Sequence, residues 1–231
     1  MECQIYDASC LNRFVLVCSV PFRAVGVRSE MTAQIDDTFR YREATYSLAG
    51  ISEGELFDIS VLDLKPEATC TACWRGYQAV FAVVQSRLVL DTLHVNLICS
   101  DEGNERFQRE VGPVINGVIP SGPRREVDFF NNHYEGLNYH LEYSGGLLLA
   151  DGFIQSLYTH MGFHPAWKYK TVIELIFEAG ILKQEFDRSE RMAEIREMVM
   201  NERNLNPSTE RQTAVEIVRF VERAFDRSYR M

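Results

Sequence analysis

The sequence lacks a long apolar run and an excess of positive charge. Its first apolar stretch, FVLVCSV (Phe14–Val20), is too short to cross a membrane. Glu2 and Asp7 stand where a secretory leader would carry basic residues. The formal net charge of −9 disfavours binding to nucleic acid or to an anionic membrane, because like charges repel. We therefore expect a cytoplasmic protein that binds neither.

The six cysteines lack the spacing of a disulfide framework, which fits a reducing compartment. One close pair exists, Cys70 and Cys73, and His160 and His164 lie four residues apart much later in the chain. These four side chains would form a zinc site only if the fold brought them together in tetrahedral geometry. No second CxxC accompanies them, so we expect no cofactor and keep this metal site as the less favoured alternative.

Catalytic motifs are also absent. The sequence contains no Gly-x-Ser-x-Gly elbow, no phosphate-binding loop and no dinucleotide fingerprint. This favours a protein without enzymatic activity. A hydrolase or transferase stays open as an alternative, with a site around His160, His164 and Arg75, provided that these groups meet in a cleft. The acidic pair Asp36–Asp37 is expected to lie in a solvated loop.

Short β-rich runs bounded by turn residues fill most of the first 186 residues. They predict strands and hairpins at Arg13–Phe22, Phe39–Leu48, Gly54–Leu64, Cys73–Ile98 and Gly136–Ile154. Val111–Arg125 holds three glycines and three prolines, which is typical of an edge strand with turns. Lys170–Phe186 fits either a hairpin or a helix, and its β-branched residues favour the hairpin.

Helical spacing begins after Phe186. Arg188–Asn204 has an apolar stripe at helical period, and Asn206–Pro207 is a typical start for a second helix. We therefore predict an α+β fold that is mainly β, with an antiparallel sheet or a sandwich-like or barrel-like core and a C-terminal helical pair. Residues 1–186 would form the mainly-β domain, and the helices of residues 187–231 would pack on it as one structural unit.

Two segments carry a resemblance. CTACWRGY, which begins at Cys70, opens a hairpin, and LYTHMGFHPAWKY precedes a strand–turn–strand pattern. Together they resemble an uncharacterised bacterial protein family with a Trp-Arg-Gly-Tyr hairpin motif and a later Tyr-x-His-Met-Gly-aromatic motif. The resemblance covers roughly Ala68–Leu182, and Lys170 departs from the family's usual acidic residue. It implies a β-rich fold and a bacterial origin but no activity. The residues that carry it are Trp74, Arg75, Gly76, Tyr77, Tyr158, His160, Met161, Gly162 and Tyr169.

Aromatic and basic side chains of these motifs are the candidate binding residues: Trp74, Arg75, Tyr77, Tyr158, His160, His164, Trp167 and Tyr169. Gly162 and Pro165 indicate that the second motif is a structural corner between strands, which can also form part of a binding surface. Arg75, beside two aromatic residues, is suited to stack on a ring or to clamp a carboxylate.

The negative charge is unevenly distributed. Residues 1–182 carry 14 Lys/Arg against 23 Asp/Glu, whereas residues 183–231 carry ten of each. We therefore expect a non-enzymatic bacterial binding protein, for example an immunity- or antitoxin-like inhibitor, that binds a protein partner such as a basic toxin through an acidic surface. A phage or mobile-element structural protein is a further alternative. The sequence does not predict the oligomeric state.

Overall fold

The structure is a computed structural model that describes residues 33–100, 107–124, 128–160, 162–205 and 224–230. Strands dominate these ranges, followed by a helix. The elements are β1 (Thr38–Tyr41), β2 (Ala44–Ile51), β3 (Tyr77–Val84), β4 (Arg87–Val95), β5 (Ile98–Ser100), β6 (Phe107–Arg109), β7 (Asn132–His140), β8 (Gly145–Phe153), β9 (Tyr169–Glu178), β10 (Ile181–Asp187) and α1 (Ser189–Leu205). The predicted α+β class, mainly β, is confirmed.

Eight strands form one sheet in the order β10-β9-β8-β2-β1-β3-β4-β7, and β5 and β6 pair separately. Neighbouring strands are antiparallel except for β1 and β3, which are parallel. The start of β4 also pairs with β10 through Arg87 and Ile181. This extra pairing joins the β10 edge back to the sheet, so the core is partly closed and barrel-like, as one of the predicted alternatives states.

Tight turns connect several antiparallel pairs. Ala179 and Gly180, which join β9 to β10, have φ angles of 45° and 74°. Two consecutive residues with positive φ are typical of the type I′ turns that close two-residue hairpins. Lys170–Phe186 therefore forms a hairpin rather than a helix. The pair Gln85–Ser86 between β3 and β4 also has positive φ at both residues, at 49° and 65°, without a glycine.

The predicted strand at Gly54–Leu64 is wrong. This segment contains a 3-10 helix at Ile59–Leu62, and the Asp58 carboxylate accepts hydrogen bonds from the Ser60 backbone N–H at 2.9 Å and from its hydroxyl at 2.6 Å. This capping offers the backbone an alternative to the strand ladder. Positive φ at Gly54 and Asp63 also breaks the extended conformation.

Two hydrophobic clusters lie on opposite sides of the sheet. The larger one contains fully buried residues from most strands, including Phe39, Phe81, Leu90, Leu137, Leu147 and Leu175. The smaller one joins Leu148 and Val172 of the sheet to Met192 of α1. Full burial of one such side chain contributes about 1.5–3 kcal/mol. Arg196 of α1 also donates to the carbonyls of Trp167 and Tyr169.

The second predicted helix lies almost entirely outside the described residues, as does the predicted strand Arg13–Phe22. The division into residues 1–186 and 187–231 therefore stays a prediction. Among the described residues, no helix is long and apolar enough to cross a membrane.

Residues 226–230 return to the sheet beside β2. The Ile51 backbone N–H donates to the Arg227 carbonyl at 2.9 Å, and the Tyr229 N–H donates to the Ile51 carbonyl at 3.2 Å. The Tyr229 hydroxyl donates to the buried carboxylate of Glu174 at 2.6 Å. A Cβ at Gly146 would collide with this hydroxyl, so the absence of a side chain there makes room for Tyr229. The arrangement fixes the position of Arg227.

Candidate functional site

Asp37 is the centre of a buried cluster of charges. It directly precedes β1, and its side chain is only 3% exposed. Its carboxylate accepts from Arg75 Nη1 at 2.8 Å and Nη2 at 3.0 Å, from Arg227 Nη1 at 3.0 Å and from the Ala79 backbone N–H at 2.9 Å. Burial alone would raise the pKa of Asp37, but the two guanidinium groups outweigh it and lower this pKa.

An aromatic ring lies against both arginines. The Arg227 guanidinium lies 4.5 Å from the centre of the Phe163 ring, and that of Arg75 lies 5.3 Å from it. Arg75 also lies 4.7 Å from the Tyr77 ring. Arg75 therefore both clamps a carboxylate and contacts rings, the two roles suited to its sequence context. We call Asp37, Arg75, Arg227 and Phe163 the Asp37 cluster.

The segment just before β1 connects the two sequence motifs. The Gln34 side chain donates to the Thr71 carbonyl at 2.9 Å and accepts from the Trp74 N–H at 3.0 Å, while the Gln34 N–H donates to the Gly162 carbonyl at 2.9 Å. The Tyr169 hydroxyl donates to Asp36 at 3.2 Å. The structure thus brings Trp74, Arg75, Tyr77 and Tyr169 into one region.

Asp36 and Asp37 do not lie in a solvated loop, so that expectation is wrong. Asp37 is buried and Asp36 is partly buried. Asp37 accepts a hydrogen bond from Arg75 of the first motif, and Asp36 accepts one from Tyr169 of the second. Burial raises the pKa of Asp36 to about 6, although Arg227 and the Tyr169 hydroxyl act against it. The two adjacent carboxyl groups therefore have pKa values displaced in opposite directions.

A cavity of about 80 Å³ lies beside the Asp37 cluster. Its polar lining consists of Asp37, Arg75, Arg227 and Glu55. Partial burial, and then the negative charge of nearby Asp58, raise the pKa of Glu55. The remaining lining is largely apolar: Leu48, Ile51, Leu56, Phe57, Tyr77 and Phe81. Apolar walls and a few converging charged groups also occur in ligand pockets, which are usually larger, at about 300–1,000 Å³.

The two histidines of the second motif have different surroundings. His164 is buried against the Phe153 ring, 4.6 Å between centres, and its Nδ1 lies 3.3 Å from Lys168 Nζ. An ammonium group only donates, so Nδ1 accepts and the proton lies on Nε2, which has no partner in the described structure. Burial and then Lys168 lower the pKa of His164 to about 4. His160 is exposed and lies edge-on to Tyr158.

Trp167 lies apart from the Asp37 carboxylate contacts. It lines a second cavity of about 190 Å³, together with Met192 and Ile195 of α1 and the C-terminal residues 226–230. Its carbonyl accepts from Arg196 Nε at 2.7 Å. Trp167 therefore contributes to the contact between the sheet and α1.

The Cys70, Cys73, His160 and His164 set does not form a metal centre in the described part of the chain. No three His, Cys, Asp or Glu side chains there are arranged to hold a metal ion. Both cysteines are reduced. Cys73 is buried, its thiol donates to the Tyr77 carbonyl at 3.3 Å, and burial raises its pKa, which disfavours the thiolate that a metal requires.

The sequence does not predict a chain of polar groups that links His94 of β4, His133 of β7 and Asp128. His133 Nε2 lies 3.0 Å from the Asp128 carboxylate, and His133 Nδ1 lies 2.8 Å from His94 Nδ1. Burial and then His133 lower the pKa of His94 to about 4. His94 and His133 are direct partners across the strands, so only the strand register could have predicted their contact.

Arg75 and the two histidines are not joined. Within the described ranges, no hydrogen bond or ion pair connects Arg75 with His160 or His164, and the hydrolase or transferase interpretation stays a prediction.

Comparisons of the chain with protein-family models, curated proteins and solved structures gave no match. The resemblance to the bacterial family therefore also stays a prediction.

Proposed function

We propose that the protein is a non-enzymatic binding protein whose acidic surface recognises a protein partner. The segment Ser52–Glu67, here called the acidic segment, supplies the observation that carries the proposal. It exposes five acidic side chains and one basic side chain, Lys65: the acidic residues are Glu53, Glu55, Asp58, Asp63 and Glu67. In the described structure, none of the five forms a salt bridge.

An apolar side chain lies within the same segment. Val61 is 59% exposed and follows Asp58 by three residues. Interfaces combine apolar contacts with charges that steer the encounter and select the partner. A partner with a basic rim around an apolar centre fits this surface. The more specific form of the proposal is a bacterial immunity- or antitoxin-like inhibitor that binds a basic toxin in the cytoplasm.

Charge substitution on the acidic segment tests the proposal. The variant E53K/D63N/E67K raises the net charge by five and avoids Asp58, which caps the 3-10 helix, and Glu55, which lines the cavity. The control E110K/E142K/D151N makes the same change at exposed positions elsewhere. Each tagged protein would be incubated with lysate of the source cells, and bound proteins quantified by mass spectrometry at low and high salt.

The proposal predicts at least one stoichiometric basic protein that the wild type and the control variant retain at low salt. The E53K/D63N/E67K variant should lose it by about tenfold or more, and salt should weaken its binding to the wild type. The interaction would then be measured with the purified partner. Absence of such a protein, or equal retention by both variants, would contradict the proposal.

A further inference from the structure

The cavity beside the Asp37 cluster contains more hydrogen-bond donors than Asp37 uses. A guanidinium group has five N–H donors. Arg227 donates through Nη1 to Asp37, and no hydrogen bond in the described structure uses its Nε or Nη2. Arg75 donates once from each of Nη1 and Nη2 to the same carboxylate. Asp36 adds a second negative charge near both arginines, and the Nε and Nη2 donors of Arg227 remain for a further anion.

Glu55 is the other acidic group that lines the cavity. It is exposed, and it forms no salt bridge in the part of the chain that the structure describes. Since it does not pair directly with either arginine, Glu55 leaves their remaining donors unoccupied. Its negative charge would nevertheless oppose an incoming anion.

The other walls of the cavity are apolar and partly aromatic. The Phe57 ring lies edge-on to Tyr77 at 6.4 Å and to Phe81 at 6.3 Å, measured between ring centres. One water occupies about 30 Å³ of liquid, so a cavity of about 80 Å³ has room for about three water-sized groups, and a longer ligand would extend through its open side. The space therefore suits a small molecule with one charged end and one apolar end.

We propose that this cavity binds a small organic carboxylate. The carboxylate receives N–H donors from Arg227 and Arg75, whose fork geometry matches two carboxylate oxygens. The short apolar tail lies against Phe57 and Phe81. Inorganic phosphate fits less well, because its oxygens point in all directions and some would face the apolar wall without a partner. The cavity shares Glu55 and Phe57 with the acidic segment, but its carboxylate binding is inferred from the arginines and does not rest on the proposed protein partner.

Butyrate, with six non-hydrogen atoms, is the probe, and its amide butyramide is the matched neutral control. Titrations followed by two-dimensional NMR of the full chain should give a butyrate dissociation constant in the millimolar range, as expected for so small a ligand. Butyramide and inorganic phosphate should each bind at least about tenfold more weakly. Shifts should concentrate at residues around Phe57 and Arg227.

Three variants assign the binding to this cavity. R227Q should weaken butyrate binding about tenfold or more, because it removes the charged donor. E55Q keeps both arginines, removes the competing carboxylate and should tighten binding about threefold or more. R191Q alters an exposed arginine of α1 that pairs with Glu194, and it should leave butyrate affinity unchanged.

Several results would overturn the inference. These are no saturable butyrate binding up to about 50 mM, equal binding of butyrate and butyramide, or phosphate binding as tightly as butyrate. An unchanged butyrate affinity in E55Q would also overturn it, and this variant does not depend on the stability of the Asp37 cluster.

Discussion

The Asp37 cluster and the acidic segment use the same kind of charge in opposite ways. In the cluster, one carboxylate is buried and accepts four hydrogen bonds from two arginines and the backbone. In the acidic segment, five carboxylates face solvent without a salt bridge in the described structure. The negative charge of this chain therefore occurs in two settings: one carboxylate holds the fold together, and the others stay exposed on the surface that we propose for partner binding.

Substituting the centre of the cluster should have the largest effect. Asp37→Asn leaves two arginine groups near the cavity without their shared carboxylate, and removing one partner of a buried ion pair costs about 3–5 kcal/mol. Urea denaturation measures this loss. Asp63→Asn in the acidic segment is the matched control and should change the free energy of unfolding by less than about 0.5 kcal/mol. Similar losses of unfolding free energy in both variants would contradict a structural role for Asp37 that Asp63 does not have.

Two glycines with positive φ extend the comparison to the backbone. Gly162, with φ of 73°, contacts the C-terminal end so closely that a Cβ would collide with the Ala224 carbonyl. Gly54 has φ of 56°, and a Cβ added there would meet no other atom within 4 Å. Gly162→Ala should cost about 2–4 kcal/mol, since steric overlap adds to the left-handed conformation.

Gly54→Ala should cost only about 1–2 kcal/mol, from the left-handed conformation alone. Thermal and urea unfolding of both variants would provide the values. Equal losses at the two positions would contradict the close packing between Gly162 and Ala224.

Asp36, the neighbour of Asp37, should change the stability of the fold with pH in the direction opposite to Asp37. Because the pKa of Asp36 is raised to about 6, the folded state keeps a proton that the unfolded state releases near pH 4. This group therefore lowers stability as pH rises from about 4 to 6. Asp36→Asn should stabilise the protein by about 1–2 kcal/mol at pH 8, which allows for partial solvent screening.

The lowered pKa of Asp37 has the reverse consequence. Its ionised form contributes stability above the pKa of the unfolded state, and that contribution is lost as pH falls towards the lower folded pKa. The difference between urea unfolding curves of wild type and Asp36→Asn, measured from pH 4 to 8, isolates the Asp36 contribution. A difference that does not grow between pH 4 and 6 would contradict the assignment.

The smallest stability effect is expected in the acidic segment. E53K/D63N/E67K replaces exposed side chains without salt bridges in the described structure, so the free energy of unfolding should change by less than about 0.5 kcal/mol. Urea unfolding beside the control E110K/E142K/D151N checks this. A large loss would mean that these carboxylates stabilise the fold and are not simply available for binding.

Part of this arrangement follows from sequence patterns. Alternating and β-branched residues predict the mainly-β class and the hairpin of Lys170–Phe186, and the flanking aromatic residues of Arg75 indicate its clamp and stacking roles. These features depend on local preferences. The contacts of Asp37 do not depend on local preferences. Arg75 is 38 positions and Arg227 is 190 positions away from Asp37 in sequence, so only the assembled sheet brings the three together.

Other features cannot be predicted from sequence patterns, for different physical reasons. The Gln85–Ser86 turn adopts positive φ without the glycine or asparagine that normally indicates such a turn. The contact between His94 and His133 depends on the register of β4 and β7. The sequence predicts Asp36 and Asp37 on the surface because acidic side chains are seldom buried without a partner. Their partners are distant in sequence, so no local pattern indicates the burial.

Hydrogen–deuterium exchange of Asp37→Asn tests most directly whether this carboxylate joins the two motifs to the C-terminal end. The amides of Gln34, Ile51 and Phe163 donate to Gly162, Arg227 and Ala224 respectively. In Asp37→Asn these three amides should lose protection together, while amides in the β3–β4 hairpin should remain more protected. Unchanged protection at all three, relative to wild type, would contradict it.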